Sequence, residues 1–122
     1  MNIENLNLLL VEDNKQLRDI MAELLESEFK NIFCAEDGVE ALKVYNEQQV
    51  DLIITDLQMP KMDGLELISL IRSQNANIPI FLITALTNED YSSYIENLKI
   101  NAFMNKPVDI KALYSHIELA VS

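Results

Sequence analysis

Residues 51–64 read DLIITDLQMPKMDG, and the order of residue types in this stretch decides the fold. Leu52, Ile53, Ile54 and Thr55 form a short apolar and β-branched run that ends on a lone acid, Asp56, followed by a turn carrying Pro60 and Gly64. An uninterrupted apolar run bounded by turn residues predicts a strand buried on both faces. Strands of that kind belong to parallel sheets covered by helices on either side. Asp56 then stands at the carboxyl end of a buried strand, where a carboxylate needs a reason.

The rest of the chain repeats the unit on both sides of this stretch. LNLLLV (6–11) reads as a strand, and Asn14 is placed to cap a helix whose apolar stripe is Leu17, Ile20, Met21, Leu24, Leu25 and Phe29. Lys15, Arg18, Asp19 and Glu23 fall on its other face. NIFCA (31–35) is a second strand, followed by a helix with Val39, Leu42 and Tyr45 on one side. Beyond the opening stretch, Leu65, Ile68, Leu70 and Ile71 mark a third helix, IPIFLITA (78–85) a fourth strand, and NEDYSSYIENLK (88–99) a weaker, more polar helix, either mobile or partner-facing. INAFMN (100–105) is a short fifth strand, and Ile110, Leu113, Tyr114, Ile117 and Val121 line the last helix. Five strands alternating with five helices predict an α/β, doubly wound (βα)5 domain with right-handed crossovers. At 122 residues the chain is expected to be one domain, 1–122.

Composition removes several classes of function. With 20 acids against 9 bases and a formal charge of -11, a phosphate backbone is a poor partner, so no direct nucleic-acid binding is expected. A single cysteine, Cys34, excludes an intrachain disulfide and reads as a buried strand thiol. The first residues carry no basic leader, and no apolar run reaches the roughly 18 residues of a membrane span, so a cytoplasmic protein without a membrane partner is expected.

In an open parallel sheet the site lies beyond the carboxyl ends of the strands. Those ends carry Glu12 and Asp13, Asp56, Thr84, and Lys106, while Glu36 and Asp37 read as helix-capping acids. Gly38 and Gly64 are the only glycines, so there is no glycine-rich turn to cradle a nucleotide phosphate. An acid-lined pocket suits Mg²⁺, which takes one or two carboxylates and bridges to phosphate oxygens. A hydroxyl and an ammonium at neighbouring strand ends would let the same pocket hold a phosphoryl group.

LLLVEDN (8–14), DLIITDLQMPKMDG, IPIFLITA and NAFMNKP (101–107) together resemble the motif regions of the receiver domain of two-component response regulators, over the whole chain. The resemblance implies a five-stranded parallel sheet in the flavodoxin-like order 2-1-3-4-5. It implies that Asp56 accepts a phosphoryl group from a phosphohistidine, with Mg²⁺ held by Asp13, Asp56 and the backbone carbonyl of Gln58, and with Glu12 as a further acid or acting through water. Lys106 would pair with the phosphoryl oxygen, and the bond from Lys106 to Pro107 would be cis. Thr84 and Phe103 would form the switch; Phe103 stands where the family often has tyrosine and is read either as that switch or as a core aromatic. Gln58 and Leu86 would line the path of attacking water. The implied partners are a histidine kinase or histidine-containing phosphotransfer protein and a downstream effector; the face carrying Tyr91, Tyr94, Phe103 and Tyr114 is a candidate partner surface, its tyrosines reading equally well as core. His116, on the last helix, reads as a surface residue. Such a chain is not an enzyme on other substrates; it catalyses only its own phosphorylation and dephosphorylation. Two rivals are a receiver-like binding module that is never phosphorylated and a hydrolase of the haloacid dehalogenase type. The second needs another Asp two residues after the first, where Gln58 stands.

Overall fold

The structure is a computed structural model that describes residues 2–85 and 92–121. Five parallel strands, β1 (Asn7–Val11), β2 (Asn31–Ala35), β3 (Leu52–Asp56), β4 (Ile80–Thr84) and β5 (Ala102–Asn105), form one sheet in the order β2-β1-β3-β4-β5. The helices are α1 (Lys15–Leu25), α2 (Gly38–Glu47), α3 (Gly64–Gln74), α4 (Ser92–Leu98) and α5 (Ile110–Val121), after a 3-10 turn over Ile3–Asn5. The expected α/β class and strand order are those of the structure.

β3 is central, paired with β1 through Leu8↔Leu52 to Val11↔Thr55 and with β4 through Ile53↔Ile80 to Asp56↔Ile83. Every residue of β3 and β4 is buried. Alternate side chains feed two cores: Leu9, Val11, Ile53 and Leu82 pack under α2 and α3, while Leu8, Leu10, Ile54 and Phe81 pack under α1 and α5. Each such buried aliphatic or aromatic side chain contributes about 1.5–3 kcal/mol relative to exposure. Together they fix the register, because a one-residue slip would exchange the two cores.

The helix starts follow local chemistry. Asn14, Asp37 and Asp63 are the N-caps of α1, α2 and α3, accepting from the amides of Leu17, Glu40 and Glu66. Each cap follows a strand end closely, so helix N-termini converge on the carboxyl edge of the sheet.

Three expectations are corrected by the packing. Cys34 is exposed, because β2 is an edge strand whose faces are only partly covered. The α1 stripe is split: Met21 and Leu25 are buried, whereas Ile20 and Leu24 are 54% and 52% exposed. In α2 the buried residues are Gly38 and Ala41, and in α3 Gly64, Leu67, Ile68 and Ile71; Ile68 and Ile71 are where the stripe puts them, whereas Val39 and Leu70 are exposed. A stripe spaced by three and four is wider than the line along which a helix touches a sheet, so its margins stay in water. Leu86 and Tyr91 lie outside the described residues. No helix among the described residues is long and apolar enough to cross a membrane.

Candidate functional site

The strand order reverses around β1 and β3, and their ends bring Glu12, Asp13 and Asp56 together with carboxylate oxygens within 4.8 Å of one another. Glu12 and Asp56 are buried at 2% and 6% exposure, and Asp13 is exposed at the mouth. The ammonium of Lys106, just beyond β5, donates to Glu12 Oε1 at 2.7 Å and to Asp56 Oδ2 at 2.8 Å. Asp56 Oδ1 accepts from the Leu57 amide at 2.8 Å, and Glu12 Oε2 from the Asn14 amide at 3.1 Å. Both buried carboxylates are thus oriented at each oxygen. Burying an acid costs several kcal/mol unless it is paired and hydrogen-bonded, and here both conditions are met.

The charges do not balance, since three carboxylates face one ammonium. Desolvation, then the hydrogen bond and charge of Glu12, push the Asp13 carboxyl above its ordinary value, while Lys106 pulls the other way. Burial works against the Lys106 ammonium, but its bonds to Asp56 and Glu12 and their charges outweigh it and hold its pKa above the usual value. An oxygen-only donor set with uncompensated negative charge is the chemistry of a hard divalent cation. The cluster therefore fits Mg²⁺.

The raised Asp13 pKa has a sign that can be measured. Protonated Asp13 is favoured in the fold, so its contribution is present below the unfolded value of about 3.8 and is lost as pH rises through the folded value. At neutral pH the ionised group weighs against the metal-free fold. Asp13→Asn is expected to raise the urea midpoint at pH 7 without Mg²⁺, by less than about 1 kcal/mol because solvent screens the exposed group. The gain should vanish at acid pH and turn into a deficit when millimolar Mg²⁺ is added to both proteins.

The remaining strand-end residues surround this cluster. Thr84 is buried at the end of β4, and its carbonyl accepts from the Lys106 amide at 2.8 Å. The Lys106–Pro107 bond is cis. Gln58 is exposed, two residues beyond Asp56. Its loop is tethered by Lys61, which adopts φ 67 and reaches Asp37 Oδ2 at 3.6 Å. Phe103 packs into the core under α2 and α3, Tyr114 into the opposite core, and Tyr94 is exposed. Of the described members of the expected partner face, Tyr94 alone is an exposed aromatic. His116 is exposed on α5, away from the strand ends.

Sequence periodicity missed two arginines. Arg18, on what reads as the polar face of α1, is half-buried and donates from Nη1 to the Glu12 carbonyl at 2.7 Å. Arg72 donates to the carbonyls of Leu98, Ile78 and Lys99, closing the end of α4 against α3. No pattern in the sequence marks either, because both act on backbone carbonyls brought near by tertiary structure. A wide cleft of about 560 Å³ at the opposite edge, lined by Glu4, Glu28 and Glu118, lies far from this chemistry.

Comparison with known proteins converges on one family. The profile of the response regulator receiver domain matches residues 8–118. The transcriptional regulatory protein GlrR of Escherichia coli is 36% identical over 94% of this chain, which spans 26% of that protein. The chemotaxis protein CheY of Halobacterium salinarum is 34% identical over 81% of the chain and 82% of the relative. The crystal structure of the response regulator TrrA of Thermotoga maritima, in complex with Mg²⁺-BeF, superposes with a TM-score of 0.81 at 29% identity, covering 94% of this chain and 98% of that one.

Proposed function

The chain belongs to the response regulator receiver domain family of two-component systems, and on that premise we propose that Asp56 is the acceptor in Mg²⁺-dependent phosphoryl transfer from a phosphohistidine. The observation that carries this reading is the Lys106 ammonium shared between Asp56 and Glu12, inside a cluster of three carboxylates. Asp13, Asp56 and the Gln58 carbonyl would hold the cation, with Glu12 beside them. When bound, Mg²⁺ neutralises charge on the transferring phosphoryl oxygens.

The chain's own residues do the rest. An Asp56 carboxylate oxygen forms the new bond to phosphorus as the phosphorus–nitrogen bond of the donor breaks, and the electron pair of that bond leaves on the imidazole. Lys106 is already within hydrogen-bond reach of the acceptor and follows the charge onto a phosphoryl oxygen. The Thr84 hydroxyl turns toward another phosphoryl oxygen, and Phe103 shifts with it, so that about two units of added negative charge bias the β4–β5 edge. The chain catalyses only its own phosphorylation and dephosphorylation.

The chain acts in the cytoplasm; its donor is a histidine kinase or a histidine-containing phosphotransfer protein, and the reader is a downstream effector. A donor-docking face separate from the one carrying Tyr94 and Phe103 is supported by a groove of about 390 Å³ between α1 and the start of α5, lined by Ile20, Leu24, Pro107, Val108 and Ile110, with Lys106 in its wall. A helix seated on this groove, where Ile20, Leu24 and Pro107 are exposed, would lie beside the ammonium that touches Asp56. Incubation with acetyl phosphate and Mg²⁺ is expected to add one phosphoryl group by mass, and EDTA to prevent it. A mass unchanged under saturating Mg²⁺ would overturn the assignment.

A further inference from the structure

The turn that presents Asp13 is held from several directions, and one hold comes from outside it. The Glu12 amide donates to the Ala35 carbonyl of β2 at 3.0 Å, and the Asn14 amide to the Glu12 side chain at 3.1 Å. Asn14 in turn caps α1 through the Leu17 amide, while its carbonyl accepts from the Arg18 amide at 2.9 Å. The Glu12 carbonyl belongs to the peptide plane joining Glu12 to Asp13. It lies past the end of β1, no backbone amide among the described residues donates to it, and its acceptor is filled by Arg18 Nη1 at 2.7 Å.

We propose that Arg18 is a positioning residue for the acid site, locking the Glu12–Asp13 peptide plane so that Asp13 is aimed as a cation ligand. This rests on the acid-site reading given above. A planar guanidinium on a half-buried arm is suited to hold a carbonyl in one orientation. The same peptide orients both acids: Glu12 turns inward to Lys106 at 2.7 Å, and Asp13 stays at the mouth. Without the contact, that carbonyl must find water, the plane can rotate, and cation binding then has to order the turn.

Position and charge make opposite predictions, which separates them. If Arg18 acts by orientation, Arg18→Met and Arg18→Lys both weaken Mg²⁺ binding, the first by about fivefold, the worth of one net hydrogen bond. If it acts only as a positive charge near three acids, Arg18→Met tightens Mg²⁺ and Arg18→Lys changes nothing. The experiment is a Mg²⁺ titration of the 122-residue chain followed by amide shifts of Asp13 and Gln58. Amides of α5 serve as the check that each variant stays folded. Cys34 reports the charge of Arg18 on its own, because that charge partly offsets the partial desolvation that raises its thiol pKa. Its alkylation should slow in Arg18→Met and change less in Arg18→Lys. Saturation with an unchanged constant in both variants, or tighter binding in Arg18→Met, overturns the proposal alone. A wild-type spectrum that ignores Mg²⁺ overturns the acid-site reading and the proposal with it.

Discussion

Asp56→Asn is expected to take up no phosphoryl group from acetyl phosphate and Mg²⁺ while remaining folded. The amide is close in shape to the carboxylate, and its oxygen can go on accepting from the Leu57 amide, the contact that sets the side-chain rotamer at 2.8 Å. The amide nitrogen then faces the Lys106 ammonium, donor against donor, so Lys106 turns onto Glu12, already at 2.7 Å, and no buried charge is left alone. The stability change should stay within about 1 kcal/mol of zero, the range of one exchanged hydrogen bond. Chemistry, in contrast, is lost completely, since an amide oxygen is a poor nucleophile and the product would lack the acyl-phosphate bond. A phosphoryl group found on the variant would move the acceptor to Glu12 or Asp13, the other carboxylates of the cluster.

The parts of this molecule that could be read from the sequence are those governed by patterns along the chain. β3 and β4 are buried throughout, so their apolar runs are unambiguous, and the acids at strand ends follow from where such strands must stop. Asn14 and Asp37 announce helices because a cap is a contact between near neighbours. Cys34 and Ile20 are exposed against their pattern for one reason: burial depends on what lies across the sheet edge or beyond the helix margin, and periodicity carries no such information. Arg18 and Arg72 carry no mark in the sequence, because a guanidinium that bonds carbonyls from other segments looks the same there as one in water. The site was legible as a set of residue types. Its geometry, with Lys106 spanning two carboxylates from different strands, depends on the register of β1, β3, β4 and β5.

That geometry also depends on a position with no side chain. The first residue of α3, Gly64, donates its amide to the Leu57 carbonyl at 2.7 Å, so the helix starts directly against the end of β3. A methyl group at Gly64 would penetrate the Asp56 carbonyl oxygen and lie 3.0 Å from Leu57 Cα and 3.1 Å from the Asp56 carbonyl carbon. These are backbone atoms, so no rotamer change relieves the overlap. Gly64 does not have a positive φ, and alanine is worth up to about 1 kcal/mol more than glycine in a helix interior, so propensity alone favours the substitution. The steric cost is larger, because overpacking against rigid surroundings costs about 1–3 kcal/mol and sometimes more. Gly64→Ala is therefore expected to lose about 2 kcal/mol net in urea unfolding. It should also slow acetyl-phosphate labelling, since the easiest relief pushes the end of β3, with Asp56 and Gln58, away from Asp13. Gly38→Ala is the control: the three atoms nearest its methyl are all of Met62, side chain and carbonyl, and none belongs to the acid cluster. It should lose stability while labelling at the wild-type rate when folded. Equal labelling by both variants would show that α3 does not set the position of the acceptor.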